Sequence, residues 1–526
     1  MDFARNLPAL SILLCMFGAI ISSGLNRKAA RAICYTIVTL VSAMSFMALL
    51  YVKRLGGPVV YVMGKFPAPW GNEIRFGILE CSMAVFFSHI MLLSLLGGLH
   101  KMKDEVAKEK EFLYYVLIDL LFSSLLALIY TNDIFTAYVF VEINTIAAAG
   151  LIVIRENGRT IEAGVRYMVM SLMGSGLLLS GIMVIYDITG HLLMSNIKES
   201  IAVLASTGEY EVPLIVGVGL MVSGLCIKSA LFPFHTWLPD AYGYATVSSA
   251  AILSSLVSKG YIFLLIKLFY RVVGIDVIYK TQIHNVLFVF GLVAMIAGSL
   301  SAIRENDIRR MIAFSSVAQI GYIYMGFGMG VKAGMVASIF HIMSHAATKS
   351  MLFISAIGLT DVSRGSRKFK DLTGAAYRNK IAGLGFIVGS FSMIGLPLFS
   401  GFISKLLFMD AAFDDGFDKM VPALIVLGIS TILNAVYFMR TVIRIYLPLE
   451  KLTVPASPQA DFEAENIAAT QRIGINGVVE EVDKKVFSQQ KLYGVVILLF
   501  IALNVFLGVA SNLVVKMIET GLEMFA

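Results

Sequence analysis

Seven side chains able to hold a proton sit where the chain is otherwise apolar: Glu142, Lys228, Lys259, His341, His345, Lys349 and Lys405. In a hydrocarbon interior each charged lysine or acid at a helix centre costs about 2.5–3.5 kcal/mol. Four of them together cost on the order of 10–14 kcal/mol, as much as a typical folding stability of about 5–15 kcal/mol. Groups kept at that cost line a polar path, pair with each other, or relay protons. His341, His345 and Lys349 are spaced i, i+4, i+8, which sets them along one helix face as a proton wire. Histidine suits that work, because its ordinary pKa is about 6.5. Blander readings stand beside this one. Lys267 and Lys349 lie near span ends and would snorkel to the headgroups, and the two histidines would be a hydrogen-bonded core pair.

Two lysines come with helix breakers. Lys228 opens "KSALFPFHTWLPDA" and Lys405 closes "GLPLFSGFISK". Pro233 removes a backbone donor and clashes with the carbonyl one turn earlier, near Ser229. Pro397 marks the corresponding break beside Lys405. Carbonyls freed at membrane depth must be satisfied by water or polar groups, so each break makes a wet spot beside a lysine. A movable Glu142–Lys228 contact would switch that lysine between holding and releasing a proton.

The elements that position these groups are membrane helices. Of 526 residues 58% are hydrophobic and 15% charged, which points to an all-α polytopic membrane protein. Apolar runs place about 14 spans near 7–25, 29–52, 78–97, 112–131, 134–154, 164–187, 212–235, 245–273, 284–303, 308–330, 333–358, 381–408, 420–446 and 492–516. The first is read as a span rather than a cleavable leader, since it lacks a basic flank of any size before it. Loops after odd-numbered spans hold Arg27, Lys28, Arg31, Arg155, Arg159, Arg304, Arg309, Arg310 and the run from Arg364 to Lys380. Loops after even-numbered spans are poorer or acidic, as with Asp410, Asp414, Asp415 and Asp418; Lys53, Arg54, Lys65 and Arg75 are the exception. The positive-inside rule then puts the odd loops in the cytoplasm and both termini outside.

A weak repeat is visible as well. "TNDIFTAYVFVEI" opens the fifth helix and "ENDIRRMIAFSSV" the tenth. With the matching breaks in helices seven and twelve, this suggests two inverted five-helix repeats, a device of secondary transporters. The expected organisation is helices one to three over 1–110, a first repeat over 111–273, a second over 274–446, a polar loop over 447–491 and a last transmembrane helix in 492–526.

Cys15, Cys34, Cys81 and Cys226 are scattered singly, which argues against a disulfide framework, a zinc site or an iron–sulfur cluster. A bis-histidine haem would have to draw on His89 and His235. The net charge of +7 sits in short loops and does not suggest nucleic acid.

Four stretches in order, "KSALFPFHTWLPDA", "RRMIAFSSVAQIGY", "HIMSHAATKSMLF" and "GLPLFSGFISK", resemble the antiporter-like subunits of the complex I and Mrp superfamily, over roughly residues 110–445. The family includes large membrane subunits of NADH:quinone oxidoreductase, Mrp-type Na+/H+ antiporter subunits and subunits of membrane-bound hydrogenases. The resemblance implies that the helix-five glutamate is Glu142, the helix-seven lysine Lys228 and the helix-eight lysine Lys259. It also implies that the helix-eleven histidines are His341 and His345, and that the helix-twelve ionisable group, Glu in some members, is Lys405. They would form a hydrophilic midplane axis joining two half-channels. The chain has no room for the long lateral helix of one subtype. Its histidine pair resembles that longer subtype, while its length and Lys405 resemble the shorter ones.

The function expected from this reading is translocation of H+, with Na+/H+ exchange left open, as a multi-pass plasma-membrane subunit of a multi-subunit energy-converting complex. No metal or redox cofactor is expected in this chain; iron–sulfur, flavin or nickel–iron centres would belong to partner subunits. Partners would include further antiporter-like subunits and a peripheral redox arm. The alternatives are an Mrp-type exchanger without redox partners, a lateral scaffold in which the buried charges merely persist, and a cofactor-bearing membrane oxidoreductase.

Overall fold

The computed structural model describes residues 2–66, 71–448 and 478–525. It is a helical bundle with one two-stranded antiparallel ribbon, β1 (Val59–Val62) and β2 (Glu73–Phe76), in which Val60 faces Arg75. The helices used below are α1 (Asp2–Ser23), α2 (Arg27–Leu55), α3 (Ile78–Gly98), α4 (Glu111–Tyr130), α5 (Ile134–Val153) and α6 (Gly158–Thr189). Then come α7, in two pieces (Glu211–Ser229 and Leu238–Tyr244), and α8 (Val247–Val273). They are followed by α9 (Ile283–Arg304), α10 (Ile308–Gly328), α11 (Lys332–Asp361) and α12, again in two pieces (Lys380–Ile394 and Ser400–Asp415). Last are α13 (Phe417–Tyr446), α14 (Val478–Val509) and α15 (Ser511–Phe525). Among the described residues 13 helices are long and apolar enough to cross a membrane; the two pieces of α12 are each too short to be counted there.

Local chemistry starts and stops these helices. Asn26, Asp133, Asn157, Asp307 and Asn379 each accept backbone N–H bonds at a helix start. The corners at Asp133 and Asp307 belong to the two Asn-Asp-Ile sequences, and they are tied in the same way. Ile134 N donates to Leu192 O at 2.9 Å, and Met194 N to Asn132 O at 2.8 Å. Ile308 N donates to Arg367 O at 3.0 Å, and Phe369 N to Asn306 O at 3.1 Å. Since helices alternate in direction, the two corners lie at opposite ends of the bundle.

Close packing comes from small residues. A Cβ on Gly181 of α6 would meet Gly217 O of α7 at 2.6 Å, and one on Gly298 of α9 would meet Ala318 N of α10 at 2.5 Å. Only glycine allows backbones that near, which is how helices associate without a hydrophobic drive between them. The most apolar stretches of α8 and α11 are buried throughout, whereas α13 and α6 turn most of theirs outward. The helices carrying the central lysine and the histidines are thus the ones farthest from the surroundings.

Three expectations need correction. The segment read as a polar loop over 447–491 is helical from Val478, where α14 begins; residues 449–477 lie outside the described residues. The final helix ends at Val509 rather than near 516, and a further helix, α15, follows. A Cβ on Gly508 would lie 2.2 Å from Leu398 O, so the chain reaches this turn pressed against the break of α12. A helix at Met194–Thr207, between α6 and α7, was also not anticipated.

Candidate functional site

The first piece of α7 stops at Ser229. Ala230 takes a left-handed conformation (φ 62°, ψ 40°) and its N–H caps Cys226 O and Ile227 O, while Leu231 N donates to Cys226 O at 3.0 Å. In α12 Gly395 does the same (φ 92°), capping Phe391 O and Ser392 O, with Leu396 N donating to Phe391 O at 3.0 Å. Both are helix C-caps closed by left-handed residues. The stops therefore fall before Pro233 and Pro397, which sit in the connecting segments and keep the helices from resuming at once.

The two lysines stand on opposite sides of their breaks. Lys228 lies in the last turn before the stop, and Lys405 lies in the second piece of α12. Lys405 nevertheless reaches back: its Nζ donates to Ile394 O, the last residue of the first piece, at 2.5 Å, and to Thr431 Oγ1 of α13 at 2.8 Å. The Lys405 ammonium thus serves the carbonyl end of an interrupted helix, where the helix dipole favours a cation.

Around Lys228 the contacts come from α5, α6 and α8. Its Nζ donates to Thr145 Oγ1 at 2.8 Å, lies 3.7 Å from Glu142 Oε1, and sits 5.5 Å above the Tyr261 ring. Ser175 of α6 donates to Glu142. The pair is unequal: the Lys228 side chain is 0% exposed and that of Glu142 27%. Tyr261 OH donates to Asn144 Oδ1 at 2.9 Å, and Asn144 Nδ2 to Ser124 Oγ at 2.8 Å.

Lys259 donates to Ser254 O, a carbonyl inside a π-helical turn (Leu253–Val257) of α8. Such turns loosen the helical ladder and collect at functional sites. Lys259, Lys405 and Lys349 all lie within electrostatic reach of His341, and Lys259 and Lys349 within reach of His345. The two imidazoles stack 5.8 Å apart and 3° from parallel. His341 Nδ1 bonds Ser404 Oγ at 2.7 Å, and its ring lies on Tyr322, over which Lys405 Nζ also sits at 5.9 Å. Neither nitrogen of the buried His345 has a hydrogen-bond partner among the described residues.

The sequence expectations thus sort themselves. Glu142 and Lys228 meet, and Lys259, His345, His341 and Lys405 follow one another toward the second break. Lys349 leaves that line and donates to Ile312 O at 2.8 Å and to Ser315 of α10. The snorkelling reading of Lys267 and Lys349 is overturned: both are 0% exposed. Lys267 Nζ instead takes Leu128 O at 2.9 Å and Thr131 O at 2.7 Å, carbonyls at the end of α4. His89 Nδ1 turns back to Val85 O at 2.7 Å, and His235 stacks on Phe232.

Other members escaped sequence reasoning. Thr145, Tyr322, Ser404 and Thr431 are neutral and common in helices, so nothing along the chain singles them out. Asn504 of α14 donates to Thr348 Oγ1 at 2.7 Å and accepts from Ser400 N at 3.4 Å, bracing α11 against the restart of α12. Glu80 and Arg271 form a buried ion pair, with the Phe525 ring 3.9 Å from the guanidinium carbon. Asp119 is buried in α4 beside the Cys34 thiol. These three ionisable residues were detectable, since each lies inside or at the edge of an apolar run.

Comparison with known proteins gives one consistent picture. Residues 131–432 match the family described as NADH:quinone oxidoreductase/Mrp antiporter, TM. The chain is 31% identical over 448 residues to NADH-quinone oxidoreductase subunit N of Desulforudis audaxviator, covering 84% of this chain and 87% of that protein. It is 28% identical over 381 residues to a putative antiporter subunit, mnhD2, of Staphylococcus aureus, covering 72% and 74%. In fold it is similar to a chain of the Mrp complex from Dietzia, with TM-score 0.82, 22% identity and 99% and 97% coverage. It is likewise similar to a chain of an archaeal membrane-bound sulfane sulfur reductase, with TM-score 0.76, 24% identity and 96% and 100% coverage.

Proposed function

From the premise that this chain belongs to the NADH:quinone oxidoreductase/Mrp antiporter membrane family, we propose that it carries protons across the membrane on its own side chains. It is an antiporter-like membrane subunit of the kind found in complex I, Mrp and related respiratory assemblies. The observation that carries the proposal is the run of ionisable groups between the two broken helices, all buried but the half-buried Glu142: Glu142–Lys228 at one end, the stacked His345–His341 pair in the middle, Lys405 at the other.

The chemistry follows from the contacts. While Glu142 lies beside it, the Lys228 ammonium is held by a carboxylate and by the Thr145 hydroxyl. Moving Glu142 away removes the charge that favours the ammonium, and the proton leaves for water at the break. A proton reaching His345 from the Lys259 side adds to one imidazole nitrogen and departs from the other. A water bridging His345 and the free Nε2 of His341 carries it to that second imidazole, and thence, by way of the Ser404 hydroxyl on Nδ1, it moves toward Lys405. Hydroxyls and imidazoles both donate and accept, which a relay requires.

Under this reading the chain itself holds no redox cofactor. The driving energy comes from partner subunits or from an opposing Na+ gradient. The arginine-rich loops face the cytoplasm of the plasma membrane. The test uses the native complex in sealed vesicles loaded with a pH-sensitive dye. Lys228→Ala, Glu142→Gln and Lys405→Ala should each abolish most proton movement in assembled complexes. Unchanged transport in all three would leave a scaffold role instead. Proton movement driven by Na+ alone would assign the exchanger mode.

A further inference from the structure

Lys53, Arg54, Lys65 and Arg75 stand at the end of the bundle where the positive-inside rule disfavours cations. At the opposite end, that of the arginine-rich loops, cations are answered by acids. Arg27 and Arg31 each lie 3.8 Å from Glu111, Arg155 lies 3.5 Å from Glu105, and Arg367 lies 3.1 Å from Asp307. Lys53 and Arg54 are both exposed, and among the described residues neither has an ion-pair partner. Arg5 of α1 donates to Val60 O at 2.7 Å, a neutral acceptor that leaves its charge unanswered.

Beside Arg54 the surface opens into a groove of about 420 Å³. Its walls are Ala4 of α1 and Met47, Leu50, Tyr51, Arg54 and Leu55 of α2. The α2 members recur at i, i+3, i+4, i+7 and i+8, so they form one face of that helix. Met47, Leu50 and Leu55 are large apolar side chains left exposed on it. From Met47 to Leu55 the helix rises about 12 Å, comparable with the roughly 15 Å of hydrocarbon in one leaflet. The groove therefore runs from the helix end, where Arg54 stands at headgroup level, into the acyl region. A helix about 10–12 Å across is too wide for so small a volume over that length. An extended hydrocarbon chain is not.

We propose that this groove binds one anionic phospholipid, with its phosphate on Arg54 and Lys53 and an acyl chain along Met47 and Leu50. The guanidinium fork of Arg54 matches two phosphate oxygens, and Lys53 adds a point charge from the neighbouring position. A zwitterionic lipid would bring its own cation beside these two and gain less. The Tyr51 ring belongs at the same level, since its apolar body and polar tip suit the membrane interface. The bound lipid supplies the anion that the chain lacks at this end, which is how adjacent cations are kept against the positive-inside rule. The site lies apart from the relay residues and holds whichever ion the protein moves.

The experiment uses the complete complex in bilayers that mix dioleoylphosphatidylcholine with dioleoylphosphatidylglycerol, one of the two brominated on its chains. Tyr51→Trp puts a fluorescent reporter on the groove wall, and the complex without it gives the background. Should that variant fail to assemble, Leu55→Trp on the exposed rim serves the same measurement. Competition between the lipids should favour phosphatidylglycerol by about tenfold at the reporter. Lys53→Gln combined with Arg54→Gln should erase the preference. Ala4→Leu narrows the groove while keeping both cations, and should weaken quenching by either lipid. Equal quenching by the two lipids with Lys53 and Arg54 in place overturns the proposal. So does a preference that survives the double variant. A reporter that neither lipid quenches also overturns it, because a partner subunit then covers the groove.

Discussion

A buried cation is governed by the acceptors within its reach, and two cations outside the proposed relay show it. Lys267 closes the carbonyl end of α4 through Leu128 O and Thr131 O. Lys267→Met should leave those acceptors unmet, at about 1–3 kcal/mol for each, seen as a lower melting temperature of the detergent-solubilised complex. Arg271 is the only ion-pair partner recorded for Glu80 among the described residues. Arg271→Ala should cost about 3–5 kcal/mol, because it strands a buried carboxylate. Adding Glu80→Leu should recover much of that loss, and a double variant as unstable as the single one would contradict this account. Each of the three groups stands in or beside an apolar run, so its presence is legible in the sequence. Its partner is not: nothing near Lys267 along the chain distinguishes it from a lysine that reaches the headgroups.

The element that matters most is the interrupted helix, and the two interruptions are closed by different residues. Ala230 holds a left-handed conformation that costs a side chain about 1–2 kcal/mol, while Gly395 holds it freely. Ala230→Gly should therefore stabilise the protein by about 1 kcal/mol. Gly395→Ala should do harm beyond the backbone, because its Cβ would lie 2.8 Å from Lys405 Cδ. The expected outcome is a loss of transport larger than the loss of stability, measured on the same vesicles. The prolines signalled both breaks in the sequence, and the clash expected near Ser229 falls at the observed stop, but they do not say which residue caps the helix. A helix ends where a left-handed residue can cap it, and alanine gives no sign that it will.

At the scale of the whole molecule, the pairs α6–α7 and α9–α10 are each held by glycines that let backbones touch. Gly181→Val and Gly298→Val should each separate such a pair, at about 1–3 kcal/mol. Because Gly181 and Gly298 press on neighbouring backbone and not on the relay side chains of these helices, impaired assembly should precede loss of transport in complexes that do form. Native gel mobility against vesicle transport would show the order, and the reverse order would mean that the helix spacing sets the relay geometry directly.

What the sequence alone determined is whatever depends on one short stretch of chain. Apolar length specified the spans, breakers announced the interruptions, and an ionisable residue inside a span stood out because its cost is local. Tertiary structure decided the rest, because a partner in a helical membrane protein comes from another helix. It set Glu142 beside Lys228, stacked His341 between Tyr322 and His345, and turned Lys349 out of the line its spacing predicted. It also opened the apolar groove beside Arg54 on one face of α2. A long side chain follows the nearest acceptor, and helical spacing says only which face it leaves from.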